Sequence, residues 1–199
     1  AVLASTTIKH GPVEVLLTAT EETGMDGANG LKPGILHGDI LINMDSEDEG
    51  ELYVGCAGGE DFSATFKYDE KQTKKEYAGY KLSVTGMKGG HSGIDIPLGR
   101  GNAIKVFFRI LNTAYEKLGV RLSEFEGGSL RNAIPREAFG VLAVKNSRAK
   151  SFVKLVEDLT EVVKAELSAT EPTLAITLEE VKRPKKVISK KDQERITAA

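Results

Sequence analysis

Short apolar runs set between long polar or glycine-rich connections open the chain, and regular periodicities take over after about residue 70. The run "VEVLLTA" (Val13 to Ala19) is apolar and β-branched, which predicts a buried strand. "DILINM" (Asp39 to Met44) has the same character, and a looser strand is expected at Glu51 to Val54. The glycine-rich connection Thr23 to Gly38 holds at most a short helix. Strands with such connections predict an α/β sheet for this first part. From Ser63 the pattern alternates and gains lysines, as an antiparallel pair with one face in water would. The change places a domain boundary near Glu70 to Glu76, dividing the chain into residues 1–72 and 73–199.

The second part is more regular. A strand is predicted at Tyr77 to Thr85 and a helix from about Gly101 to Leu118, with Ile104, Phe107, Phe108, Leu111 and Tyr115 as its apolar stripe. Strands follow at Val120 to Glu126 and Phe139 to Lys145, joined by "RNAIPREA". A second helix opens after "NSR", with Asn146 or Ser147 as N-cap, and buries Phe152, Leu155, Val156, Leu159, Val162 and Val163. The last strand spans Leu174 to Val181. Strand, helix, strand, strand, helix, strand is the split βαβ order of a ferredoxin-like α+β sandwich.

Composition narrows the function classes. The net charge of −2 gives no global pull towards nucleic acid or an anionic membrane. No apolar run approaches the ~20 residues of a membrane-spanning helix. The lone Cys56 excludes an internal disulfide framework and suits a reducing cytoplasm. In "VGCAGG" it reads as a small packing residue, since nothing nearby supplies a basic partner. The short basic run Lys182 to Lys186 reads as a solvated linker, and the phosphate-loop fingerprint is absent. The opening "AVLASTTIKH" resembles the tail of a helix, and "VISKKDQERITAA" a polar helical segment without a partner. An internal fragment is therefore expected.

Candidate chemistry gathers at three places. Glu21 and Glu22 directly follow the first predicted strand, and Asp45 follows the second. Sites in open α/β sheets collect where strands end, so these carboxylates fit a divalent-cation site with an adjacent Glu free to act on water. A solvated acidic rim fits the same pattern. In "GMKGGHSGIDIPLGRGN", His91 sits among glycines that let backbone approach a ligand. It is either a substrate hydrogen-bond donor or a turn histidine at the surface. "GGSLRNAIPREA" places Arg131, Asn132 and Arg136 on a connector, where they suit recognition of a carboxylate or serve as ordinary turn residues.

Taken together, "LLTATEETGMDGANGL", "INMDSED", "GGHSGIDI" and "RNAIPREA" resemble the aminoacyl-histidine dipeptidases. This family of Xaa-His dipeptidases, also called peptidase D, contains dizinc metallopeptidases related to carnosinase and carboxypeptidase G. The likeness runs from about Ala1 to Ile196. It implies a partial catalytic domain followed by a lid domain, with two zinc ions in a complete site. It makes Glu21 the general base, Glu22 and Asp45 carboxylate ligands of the two metals, and His91 a lid histidine serving the partner subunit of a homodimer. Asn132 would hold the substrate's carboxylate end, and Arg131 and Arg136 would have no catalytic role. The family's upstream His-x-Asp pair, its bridging aspartate and its late histidine ligand have no counterparts here, so the chain alone is expected to be inactive. Two other readings stay open: a related dizinc deacylase or carboxypeptidase, and a non-catalytic dimerisation or binding module.

Overall fold

The computed structural model describes residues 2–45, 49–55 and 62–198. The chain divides into two compact units, Ala1–Phe62 and Ser63–Ala199. In the first unit, helical turns at Val2–Ala4 and Glu21–Thr23 and a one-turn helix α1 (Asp26–Asn29) are the regular elements among the described residues. The strands predicted at Val13 to Ala19, Asp39 to Met44 and Glu51 to Val54 do not form there. A strand needs a hydrogen-bonded neighbour and a covered face, and these runs have neither: Leu17 is 88% exposed and Ile40 84%. The short helix expected in the connection is present as α1. Cys56 lies outside the described residues.

The second unit holds the core. Its elements are β1 (Glu70–Gln72), β2 (Tyr77–Thr85), β3 (Gly90–His91), α2 (Ala103–Leu118), β4 (Arg121–Gly127), β5 (Ala133–Ile134), β6 (Ala138–Lys145), α3 (Ala149–Leu167), β7 (Ala175–Val181), β8 (Lys186–Ile188) and α4 (Lys190–Ala198). The main sheet is antiparallel, in the order β4-β6-β2-β7. Alternation sets its inner face: Tyr80, Leu82 and Val84 on β2 are buried and lie opposite Leu142, Gly140 and Ala138 on β6. A bulge between Leu122 and Glu124 shifts the β4 register.

Both long helices pack on this core. Asn102 caps α2, its side-chain oxygen accepting from the Lys105 amide, and Gly119 closes it in the left-handed region. The most buried stripe of α2 is Ala103, Val106, Phe107, Ile110, Leu111 and Ala114. It is turned slightly from the predicted stripe: Ile104 and Phe108 are only partly buried against the core. Tyr115 lies at the margin, where its hydroxyl donates to Glu194. Burial first, and then that bond, push its phenol up to about 12. Phe107, Phe108 and Phe125 form an aromatic trio with centroids 4.9 to 5.6 Å apart. On α3, Phe152, Val156 and Val163 are buried, but Val162 faces outward at 45% exposure. Neither Asn146 nor Ser147 caps that helix; a 3-10 turn, Asn146–Arg148, leads into it without a side-chain cap.

Two long-range pairings escape the sequence reading. The antiparallel pair expected after Ser63 does not form within that segment: β1 pairs with β8, Glu70 opposite Ile188, and β2 with β6 and β7. The β1–β8 pairing ties the segment ahead of Tyr77 to the second unit, so the division falls at Phe62, where the sequence texture changes, ahead of the boundary expected near Glu70 to Glu76. The closing helix α4 also has a partner. Gln193 is fully buried, accepting from the Leu122 amide at 2.9 Å and donating to the Val120 carbonyl at 3.0 Å.

Candidate functional site

Strand directions bring four connections to one end of the main sheet. β2 and β4 both run antiparallel to β6, so their carboxyl ends point the same way. β7 runs antiparallel to β2, with Thr85 opposite Ala175, so the turn after α3 arrives at that end too. The loop 86–102, the connector 128–137, the start of α2 and the segment before β7 therefore meet there. The Ala103 amide donates to the Pro135 carbonyl at 2.8 Å, fastening α2 to the connector.

His91 and Asn132 come together at this end. His91 lies within β3, opposite Ala133 of β5, and the Ser92 amide donates to the Asn132 carbonyl at 2.9 Å. The His91 ring is exposed, and its Nδ1 faces the amides of Gly93 at 3.0 Å and Ile94 at 3.4 Å. An N–H aimed at Nδ1 requires a lone pair there, which leaves the proton of the neutral ring on Nε2. The β3–β5 pair thus presents an Nε2–H donor beside a half-buried asparagine.

The support of this strand pair was not singled out in the sequence. Asp95 accepts from the His91 amide at 2.7 Å and pairs with Arg100 at 3.2 Å. Arg100 in turn donates to the Gly89 carbonyl at 2.7 Å. Gly90, at φ 147°, is required: a Cβ there would strike the Arg100 guanidinium and lie 2.6 Å from the Asp95 carboxylate. Glu171 is buried, and its two oxygens each accept a backbone amide at 2.8 Å, from Lys88 and from Gly101. The quoted stretch "GGHSGIDIPLGRGN" contains Asp95 and Arg100, so a carboxylate and a guanidinium within ten residues of a glycine-flanked histidine was the available signal. Glu171 left no local signal, because its partners lie 83 and 70 positions away.

The carboxylates of the first unit are placed differently. Glu21 and Glu22 are exposed on a 3-10 turn that follows Thr20, a residue at φ 60° whose hydroxyl accepts from the Asp26 amide. Asp45 is exposed, with its amide donating to Asn43. His37 is engaged by Glu14, which accepts from both the ring and the amide of His37. These bonds, the amide one foremost, hold the Glu14 carboxyl below its usual range. Among the described residues no group of three or more His, Cys, Asp or Glu side chains could hold a metal ion. Catalytic zinc takes three protein ligands. Glu22 and Asp45 as they stand do not make a dizinc donor set.

Residues 74–171 match the family described as the peptidase dimerisation domain of the M20 peptidases. Over 98% of its length the chain is 47% identical to the cytosol non-specific dipeptidase of Escherichia coli (strain K12), of which it covers 40%. A crystal structure of aminoacylhistidine dipeptidase from Vibrio alginolyticus is 44% identical, with a TM-score of 0.76 over 99% of this chain and 40% of that one. The chain's homologues are thus dipeptidases, and it spans about two fifths of their length.

Proposed function

We propose that this chain is part of an M20 metallopeptidase that hydrolyses dipeptides of the Xaa-His type. The observation that carries the reading is 47% identity to a dipeptidase along nearly the whole chain. Ser63–Ala199 serves as the lid and dimerisation domain, a ferredoxin-like sandwich in which the observed strand order and two covering helices support the assignment. Ala1–Phe62 contributes to a catalytic domain, and the dimer forms between copies of the lid. The cytosolic name of the Escherichia coli relative supports a cytoplasmic location, and a dipeptide is the substrate class.

The residues divide the work as follows. His91 donates from Nε2 to the substrate carbonyl oxygen, and that bond strengthens as negative charge develops there. In the dimer it does so at the partner subunit's site. Asn132, beside it, donates its amide to the substrate carboxylate. Glu21 takes a proton from the attacking water and returns it to the leaving amine. Glu22 and Asp45 supply two carboxylates toward two metal ions, zinc being the one to test. The remaining ligands are not among the described residues, and the isolated chain is inactive.

The test is hydrolysis of an Xaa-His dipeptide by the complete reading frame that carries this chain. Activity is expected to vanish with chelator and return with zinc. Glu21→Ala should lower kcat by about a hundredfold or more while metal stays bound. Metal binding without dipeptide cleavage would redirect the assignment to a related deacylase or carboxypeptidase. Neither binding nor cleavage would leave a non-catalytic dimerisation module.

A further inference from the structure

We infer that Glu171 is a positioning residue for His91, acting as a carboxylate clamp that closes the loop bearing the histidine. The inference rests on the reading of His91 given above. Lys88 and Gly101 bracket the loop, and one buried carboxylate accepts the amide of each at 2.8 Å. Between these anchors, Asp95 and Arg100 fix the His91 amide and the Gly89 carbonyl. A second clasp lies beside the first: the Thr173 hydroxyl donates to the Gly86 carbonyl at 2.6 Å. The loop is glycine-rich and its tip is exposed, so its own sequence gives it little stiffness. Its conformation is imposed from the turn after α3.

The chemistry of the clamp is specific to a carboxylate. Two N–H donors converge on Glu171, and an ionised carboxyl is the side chain that accepts both, one at each oxygen. A glutamine in its place accepts one amide and turns its own NH2 group against the other. One anchor then opens, and the tip gains freedom to lose the Gly93 and Ile94 contacts that hold Nδ1 as an acceptor. The consequence at the site is a mixed tautomer population and an Nε2–H that no longer has a fixed direction. Preorganised donors contribute to rate because they need no reorganisation as charge develops. A loosened His91 should therefore depress kcat and leave KM nearly unchanged.

The test compares wild type, Glu171→Gln and Gln193→Ala, each in the 199-residue chain and in the complete reading frame. Gln193→Ala is the control: it removes a buried α4 side chain that bonds the Leu122 amide and the Val120 carbonyl, away from the loop in the hydrogen-bond network. In the chain, Glu171→Gln should speed amide exchange at Lys88 or Gly101 by about tenfold or more relative to Leu82. The imidazole nitrogen resonances of His91 should move from one tautomer towards an average. Gln193→Ala should lower the Tm without moving them. In the complete protein, Glu171→Gln should lower kcat for an Xaa-His dipeptide by about tenfold with KM within about twofold.

Unchanged exchange at both amides, or an unchanged His91 signature in a folded Glu171→Gln protein, overturns the clamp. If Glu171→Gln does not fold, Glu171→Asp, too short to span both amides, takes its place. Loss of folding in both assigns Glu171 a purely structural role and overturns the inference. Absence of dipeptide cleavage in the wild type removes the enzymatic reading, and the exchange and resonance measurements then judge the clamp by themselves.

Discussion

Phe107 seats its ring on β6 at Gly140, the residue opposite Leu82. A Cβ at Gly140 would fall on that ring and lie 2.9 Å from the Glu124 carbonyl oxygen. Neither neighbour yields easily, since the ring is fully buried in the aromatic trio and the carbonyl belongs to β4. Gly140→Ala is expected to cost about 1–3 kcal/mol, measured as a shift in the urea unfolding midpoint with the slope unchanged. The chain read along its length already marked His91 and Asn132 as candidates, because a histidine among glycines and an asparagine between arginines stand out locally. Their nearness in space, and the ring nitrogen that each loop amide faces, became visible only through the pairing of β3 with β5. Glu171 illustrates the opposite case, a residue with no distinctive neighbours whose function is defined by amides far along the chain.

Among elements, legibility follows how much of the stabilising environment is local. The strand at Tyr77 to Thr85 and the helix ending at Leu118 agree with their predicted bounds, because alternation and helical spacing report a buried face directly. The three-residue strands β1 and β8 are too short to carry a period, and each exists because the other is there. Helix α4 is mostly polar, and its attachment depends on buried hydrogen bonds through Gln193 and Asp192. Asp192 accepts from the Ser189 hydroxyl at 2.6 Å and the Asp69 amide at 3.0 Å, and it pairs with Arg195. The Ser189 bond foremost, then the Asp69 amide, hold its carboxyl below the usual 3.8. A depressed carboxyl stabilises the fold above its unfolded value, and the contribution fades as pH falls through the lower folded value. Asp192→Asn should therefore be less stable than wild type near neutrality, with the gap closing as pH drops below 3.8. Denaturant melts across an acid series would check it, and a gap constant with pH would assign the effect to lost packing alone.

On the scale of the whole molecule, every buried hydrophobic residue among those described lies between Tyr80 and Ile188. The first unit contributes none, and its apolar runs, which read as strands, are exposed. Hydrophobicity along a chain records what could be buried, whereas a sheet also needs neighbours that a local window does not contain. Residues 63–199 expressed alone should consequently show the cooperative thermal transition of the full chain, at the same midpoint by circular dichroism. Loss of that transition would mean that the first unit supports the second. The β1–β8 ladder has a broader consequence. Glu70 faces Ile188 and Gln72 faces Lys186, so the strand that opens this sandwich is fastened to the strand just ahead of its closing helix. A body closed from its first strand to its last leaves no loose leading segment to peel away ahead of the rest.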